Sequence, residues 1–172
     1  MQRGAALFDL DQTIADTHRL EDYRRRRMWR MVYDLIPTHV YIYPFIKDIF
    51  DYLNGRNIGI GVITSSPRIY CSKVLDYLGL HVDVIVGYHD TVKKKPHPEP
   101  INLALSKLSA HNIYSFYAGD KVDDIIAAKR ANVLSIACLW DSSMSNTEIQ
   151  QIKPDLIFDN PRDFFYWIKN NY

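Results

Sequence analysis

Short apolar runs recur along the chain at Ala5–Phe8, Ile58–Ile63, Val82–Val86, Ile113–Ala118, Leu134–Leu139 and Leu156–Phe158. Each has the length and composition of a strand buried on both faces. Between most of them the apolar spacing turns helical. Pro98 to Ser109 sets Ile101, Ala104, Leu105 and Leu108 on one stripe, behind a proline suited to a helix start. Asp120 to Ala131 groups Val122, Ile125, Ile126 and Lys129 with Asp120 as N-cap, and Asp163 to Lys169 predicts a terminal helix carrying Phe164, Phe165, Trp167 and Ile168. Strand and helix in alternation predict a parallel sheet with helices on both faces. The site of such a fold lies at the carboxyl ends of the strands, beside the topological switch point.

One stretch breaks the rhythm. From about Asp16 to Ile42 there is a single long helical pattern, with Met28, Met31, Val32 and Leu35 spaced as one packing face and Pro37 predicted to end it. A second helix follows around Phe45 to Leu53. Residues 16–43 are therefore read as a small helical insertion overhanging the strand ends. Arg24 to Arg27 sweep most of the way around a helix, so they form no single basic stripe. Two readings stand: a solvated helix face, or one or two arginines that reach into a site and hold an anionic substrate.

Polar residues follow the strands. After the first come Asp9 and Asp11, two carboxylates that repel each other unless a cation sits between them or one keeps its proton. A hard divalent ion such as Mg²⁺ answers that repulsion, although an Asp-rich turn also accounts for the pair alone. After the second come Thr64 and Ser65, hydroxyls at a strand-to-helix turn that suit a phosphate oxygen or a plain N-cap. After the third, prolines at 96, 98 and 100 stiffen a loop that presents Lys95, with Lys93 and Lys94 expected in solvent and His97 expected to be structural. After the fourth come Gly119, Asp120 and Asp124, the two acids four apart and so expected on one face of a helix's first turn. Each alternative is tenable for one segment. Their conjunction at the ends of successive strands predicts a metal and phosphate pocket.

The 172 residues predict one domain over 1–172, and 47% apolar residues are ample for a core. A net charge of +1 and twelve scattered tyrosines give no nucleic-acid footprint. Two cysteines, Cys71 and Cys138, no membrane-length apolar run and no signal-like beginning point to a cytoplasmic protein without a membrane partner.

Phe8-Asp9-Leu10-Asp11-Gln12-Thr13, Thr64-Ser65, Lys95-Pro96 and Gly119-Asp120 through Asp124 resemble, in order, the four motifs of the haloacid dehalogenase-like (HAD) hydrolase superfamily. The run Lys95-Pro96-His97-Pro98-Glu99-Pro100 is similar to its phosphoglycolate phosphatase-like branch. The resemblance implies a HAD-type Rossmann-like three-layer α/β fold and a Mg²⁺-dependent phosphatase acting on a small-molecule phosphate monoester. It implies Asp9 as nucleophile forming an aspartyl-phosphate, Asp11 as general acid and then base, and Thr64, Ser65 and Lys95 as binders of the phosphoryl group. It also implies that Asp9, the Asp11 backbone carbonyl, Asp120 and Asp124 hold Mg²⁺, with Asp124 as ligand or support. Gln12 and Asn132 depart from the glycines usual in the family.

Only 52 residues separate Asp11 from Thr64, so the cap is minimal and the site open to bulky esters, or completed by a partner subunit in an oligomer. Two alternatives stay open. A phosphomutase would return the phosphoryl group to an intermediate, which needs closure against water. A non-catalytic HAD scaffold would act as a binding or regulatory module.

Overall fold

The computed structural model describes residues 4–141, 148 and 151–172. Its centre is a six-stranded parallel sheet of β1 (Ala5–Phe8), β4 (Gly59–Ile63), β5 (Val84–Val86), β6 (Phe116–Gly119), β7 (Leu134–Cys138) and β8 (Leu156–Phe158). The strand order is β5-β4-β1-β6-β7-β8. The chain therefore builds outward from β1 in one direction, then returns and builds in the other. The switch point lies at β1, where Ala5 to Phe8 register against Gly59 to Val62 on one side and Ala6 to Phe8 against Phe116 to Ala118 on the other.

Alternation along β1 explains the three layers. Ala6 and Phe8 face one cluster with α3 (Ile46–Gly55), α4 (Arg68–Leu78) and the terminal helix α7 (Pro161–Asn171). Ala5 and Leu7 face the other with α5 (Glu99–Leu108) and α6 (Val122–Arg130). All four residues are wholly buried, as a central parallel strand covered on both sides must be. The predicted Rossmann-like α/β fold is the observed one.

The inserted segment differs from its prediction. A two-stranded antiparallel pairing of β2 (Ala15–Asp16) with β3 (Tyr41–Ile42) closes its base. Between them lie a 3₁₀ turn (His18–Leu20), α1 (Glu21–Arg25) and α2 (Trp29–His39), not one long helix. Arg27 takes a positive φ of 57° and separates α1 from α2, which resets the helical phase. Met28 and Met31 are consequently exposed, while Val32 and Ile36 are buried. Pro37 lies inside α2. It removes only its own donor near the last turn, and the Val40 N–H still reaches the Ile36 carbonyl at 3.1 Å.

Candidate active site

Asp9 follows β1 directly, anchored by its own N–H to the Ala118 carbonyl at 2.8 Å. Asp120 follows β6, and Asp124 lies in the first turn of α6. The three carboxylates each offer an oxygen within 4.8 Å of the others, and all three residues are buried. Asp120 is not the N-cap of α6. Lys121 holds that place, and Asp124 accepts the Lys121 N–H at 3.1 Å in a capping arrangement that fixes the Asp124 side chain. The glycine at 119 is required by proximity, because a Cβ there would lie 2.5 Å from the Cβ and Cγ of Asp124.

Lys95 completes the cluster. Its Nζ donates to Asp9 Oδ1 at 2.7 Å, contacts Asp124 Oδ1 at 2.6 Å, and meets the Tyr117 hydroxyl at 2.9 Å, with the side chain 7% exposed. Burial lowers the basicity of such an amine, but Asp124 and Asp9 overcome it and hold Lys95 firmly protonated. One cation does not satisfy three acids. Burial, opposed by Lys95 and reinforced by Asp124 and Asp11, pushes Asp9 up to about 6. Burial, Asp9 and Asp124 push Asp120 well above the usual carboxylate range. Asp120 Oδ1 accepts from Thr13 Oγ1 at 3.2 Å, whereas its buried Oδ2 has no hydrogen-bond partner among the described residues. An orphaned carboxylate oxygen in a surplus of buried negative charge fits a hard divalent cation held by oxygen ligands.

Asp11 stands apart from these acids. Its Oδ1 accepts from Thr17 Oγ1 at 2.7 Å and from the Tyr70 hydroxyl at 2.9 Å and pairs with Arg24, while Oδ2 accepts from Ser66 Oγ at 3.3 Å. Burial alone would raise its pKa, but Arg24 and the two hydroxyls bring it below the usual value, so Asp11 is a carboxylate at neutral pH. Of the arginine run only Arg24 enters this buried network, lying over the Tyr70 ring at 5.5 Å with its side chain 14% exposed. Arg25 and Arg26 pair with Asp22 at the surface.

Thr64 is buried, and its Oγ1 accepts the Ser66 N–H at 3.0 Å in a turn that brings residues 64–66 beside Asp11. Ser65 is exposed and lines a cavity of about 930 Å³ together with Asp11, Arg24, Arg27, Asp120 and Lys121. Lys94 is not free in solvent, because it packs on the Tyr88 ring and donates to the carbonyls of Tyr88 and Thr91. His97 Nδ1 accepts the Glu99 N–H at 3.2 Å, a structural use. Sequence reasoning missed Thr17, Tyr70, Lys121 and Tyr117. Of these only Tyr117 carried a signal, since it sits two residues before Gly119 on a strand face opposite Ala118.

The buried acids and lysine lie at the switch point of a parallel α/β sheet, the place where proteins of this fold class carry their sites. The chain belongs to the haloacid dehalogenase-like hydrolase family, whose model matches residues 21–138. It is 32% identical over 123 residues to a pyrophosphatase from Oceanobacillus iheyensis, covering 70% of this chain and 57% of the relative. It is 30% identical over 125 residues to a phosphoglycolate phosphatase from Salmonella choleraesuis, covering 72% and 49%. The chain thus spans about half the length of these curated relatives. Among solved structures, a hydrolase from Pseudomonas syringae superposes with a TM-score of 0.82 at 17% identity, over 98% of both chains. A β-phosphoglucomutase from Clostridium difficile gives 0.79 at 19%, over 99% of this chain and 97% of the other. These structures share the fold. No helix among the described residues is long and apolar enough to cross a membrane.

Proposed function

We propose that the protein is a Mg²⁺-dependent phosphatase hydrolysing phosphate monoesters through an aspartyl-phosphate on Asp9. The observation that carries the reading is the buried cluster of Asp9, Asp120 and Asp124 joined by Lys95 at 2.7 and 2.6 Å. Asp9, Asp120, the Asp11 backbone carbonyl and Asp124 are the groups proposed to hold the metal, with Asp124 as ligand or support. Bound there, Mg²⁺ would offset negative charge on the phosphoryl oxygens.

In the first step an Asp9 carboxylate oxygen attacks phosphorus, the bond from phosphorus to the ester oxygen breaks, and Asp11, which takes up a proton from solvent as the substrate binds, gives it to that oxygen. In the second, Asp11 takes a proton from water, the water oxygen attacks phosphorus, and the bond to Asp9 breaks to release phosphate and restore both residues. Lys95 holds the Asp9 carboxylate in place by its 2.7 Å contact and neutralises charge. Thr64 and Ser65 bind the phosphoryl oxygens. Residues 16–43 serve as the cap, and a cap of one strand pair and two short helices suits transfer to water better than the closure a mutase needs.

Hydrolysis of p-nitrophenyl phosphate with and without Mg²⁺ tests the reading. Turnover is expected only with Mg²⁺ and is expected to vanish in Asp9→Asn. Turnover that survives Asp9→Asn would overturn the nucleophile assignment, and a protein that binds phosphate esters without turning them over would be a scaffold.

A further inference from the structure

The inserted segment joins the rest of the chain by two short connections, one through β2 and one through β3. Both connections meet the same side chain. His18, two residues past β2, places Nε2 2.6 Å from Asp141 Oδ2. A carboxylate oxygen accepts, so this nitrogen carries the proton. Tyr43, one residue past β3, donates from its hydroxyl to the same carboxylate, and burial together with Asp141 raises its pKa. Asp141 belongs to neither connection. It follows β7, which pairs with β6, the strand that leads to Asp120.

The surroundings of Asp141 are unlike those of a surface ion pair. Its side chain is 6% exposed, and a carboxylate so placed needs hydrogen-bond donors where water would otherwise be. Its neighbour Trp140 meets the Tyr43 ring edge-on at 6.3 Å and stacks on Phe164 at 6.0 Å, which ties this point to the aromatic core. Other fastenings of the segment are slight. β2 and β3 pair through two residues each, a ladder too short to fix the segment by itself. At the far end the Tyr77 hydroxyl reaches the Pro37 carbonyl at 2.9 Å, a bond open to solvent. Yet the segment supplies part of the site. Thr17, next to His18, donates to Asp11 at 2.7 Å, and His18, Glu21 and Trp29 line the 930 Å³ cavity together with Ser65 and Lys121 of the sheet domain.

We propose that Asp141 is a positioning residue, which by gripping His18 and Tyr43 fixes the inserted segment over the strand ends, so that the leaving half of a substrate meets a wall of set geometry. The phosphoryl half is bound by groups of the sheet domain and does not depend on this grip. The kinetic consequence rests on the phosphatase reading, whereas the grip itself does not.

The test joins hydrogen exchange with turnover, on the whole chain at saturating Mg²⁺. Asp141→Ala is expected to speed amide exchange across residues 15–43 by about tenfold or more, with β1, β4 and β6 as protected as in wild type. It is expected to lower kcat/KM about tenfold for p-nitrophenyl phosphate, whose ring reaches the wall, and by about threefold at most for acetyl phosphate, whose leaving group is small. Asp141→Asn keeps the shape and one accepting oxygen, so it is expected to fold and to show the same pattern at smaller amplitude. A general loss of stability would instead speed exchange in the sheet and lower both rates alike. Unchanged exchange over residues 15–43 in both variants, or an equal loss on the two substrates, would overturn the proposal. Asp9→Asn separates the failures. Exchange needs no turnover, so Asp141→Ala made in the Asp9→Asn protein reports the grip alone, whereas turnover that survives Asp9→Asn rejects the enzymatic reading beneath the kinetic consequence.

Discussion

Gly119 shows how closely single atoms are constrained beside the acids. It is not at a positive φ, and its importance is space: the position a Cβ would take is 2.5 Å from Asp124 Cγ and 2.6 Å from its Oδ2. Gly119→Ala must therefore push Asp124 aside, loosening the contact with Lys95 and the cap on the Lys121 N–H. The expected outcome is a fall of about 10–100-fold in apparent Mg²⁺ affinity, read from the Mg²⁺ dependence of turnover, with the chain still folded. The segments that carry Asp9, Asp11, Lys95, Asp120 and Asp124 were legible in the sequence because each leaves the carboxyl end of a sheet strand. Thr17 and Tyr70 were not, because their roles arise when the inserted segment and α4 meet over Asp11. Nothing in the local sequence around a tyrosine on a helix shows which carboxylate, 59 residues away, its hydroxyl will bond.

At the scale of elements, the sheet was legible because each core strand is a short apolar run, and the boundaries moved by only a few residues. The β2–β3 pair was not, since two residues carry no periodicity. The division of the inserted segment was hidden in a backbone conformation at Arg27 that no hydrophobic pattern encodes. The terminal helix was legible from its aromatics, and its packing gives them an energetic role. The Phe164 ring meets Phe158 at 5.2 Å, Phe116 at 5.8 Å, Trp140 at 6.0 Å and Phe8 at 6.2 Å. It thereby ties α7 to β1, the strand that delivers Asp9. Phe164→Ala is expected to cost about 3–5 kcal/mol of stability, measured by urea unfolding, while turnover persists at temperatures where the variant stays folded. A loss of turnover in a fully folded variant would mean that α7 sets the geometry of the site as well as the stability of the core.

For the molecule as a whole, the buried acids carry a surplus of negative charge that a cation, on the proposed reading, would relieve. Asp9 binds its proton more tightly in the fold, at about 6, than at its ordinary 3.8. Its contribution to the metal-free fold is therefore most favourable below 3.8 and is lost as the pH rises through about 6. Asp120 is shifted in the same direction, with burial again the largest cause. On the proposed reading Mg²⁺ would replace the missing protons, and its stabilisation is then expected to be largest above pH 6 and to fade below it. At about 100 times its Kd a single ion adds about 2.7 kcal/mol, which for a domain of this size raises Tm by about 5–10 °C. Asp90 and Asp155 run the other way, because hydrogen bonds from Gly87 and Arg68 and from Ser135 outweigh burial and hold them below the usual range. Measuring Tm with and without Mg²⁺ at each pH cancels their contributions. The expected result is a Mg²⁺ increment at pH 7.5 that shrinks toward pH 5 and is largely lost in Asp120→Asn. An increment equal at both pH values, or intact in that variant, would place the cation elsewhere on the surface and leave the orphaned Asp120 oxygen without its explanation.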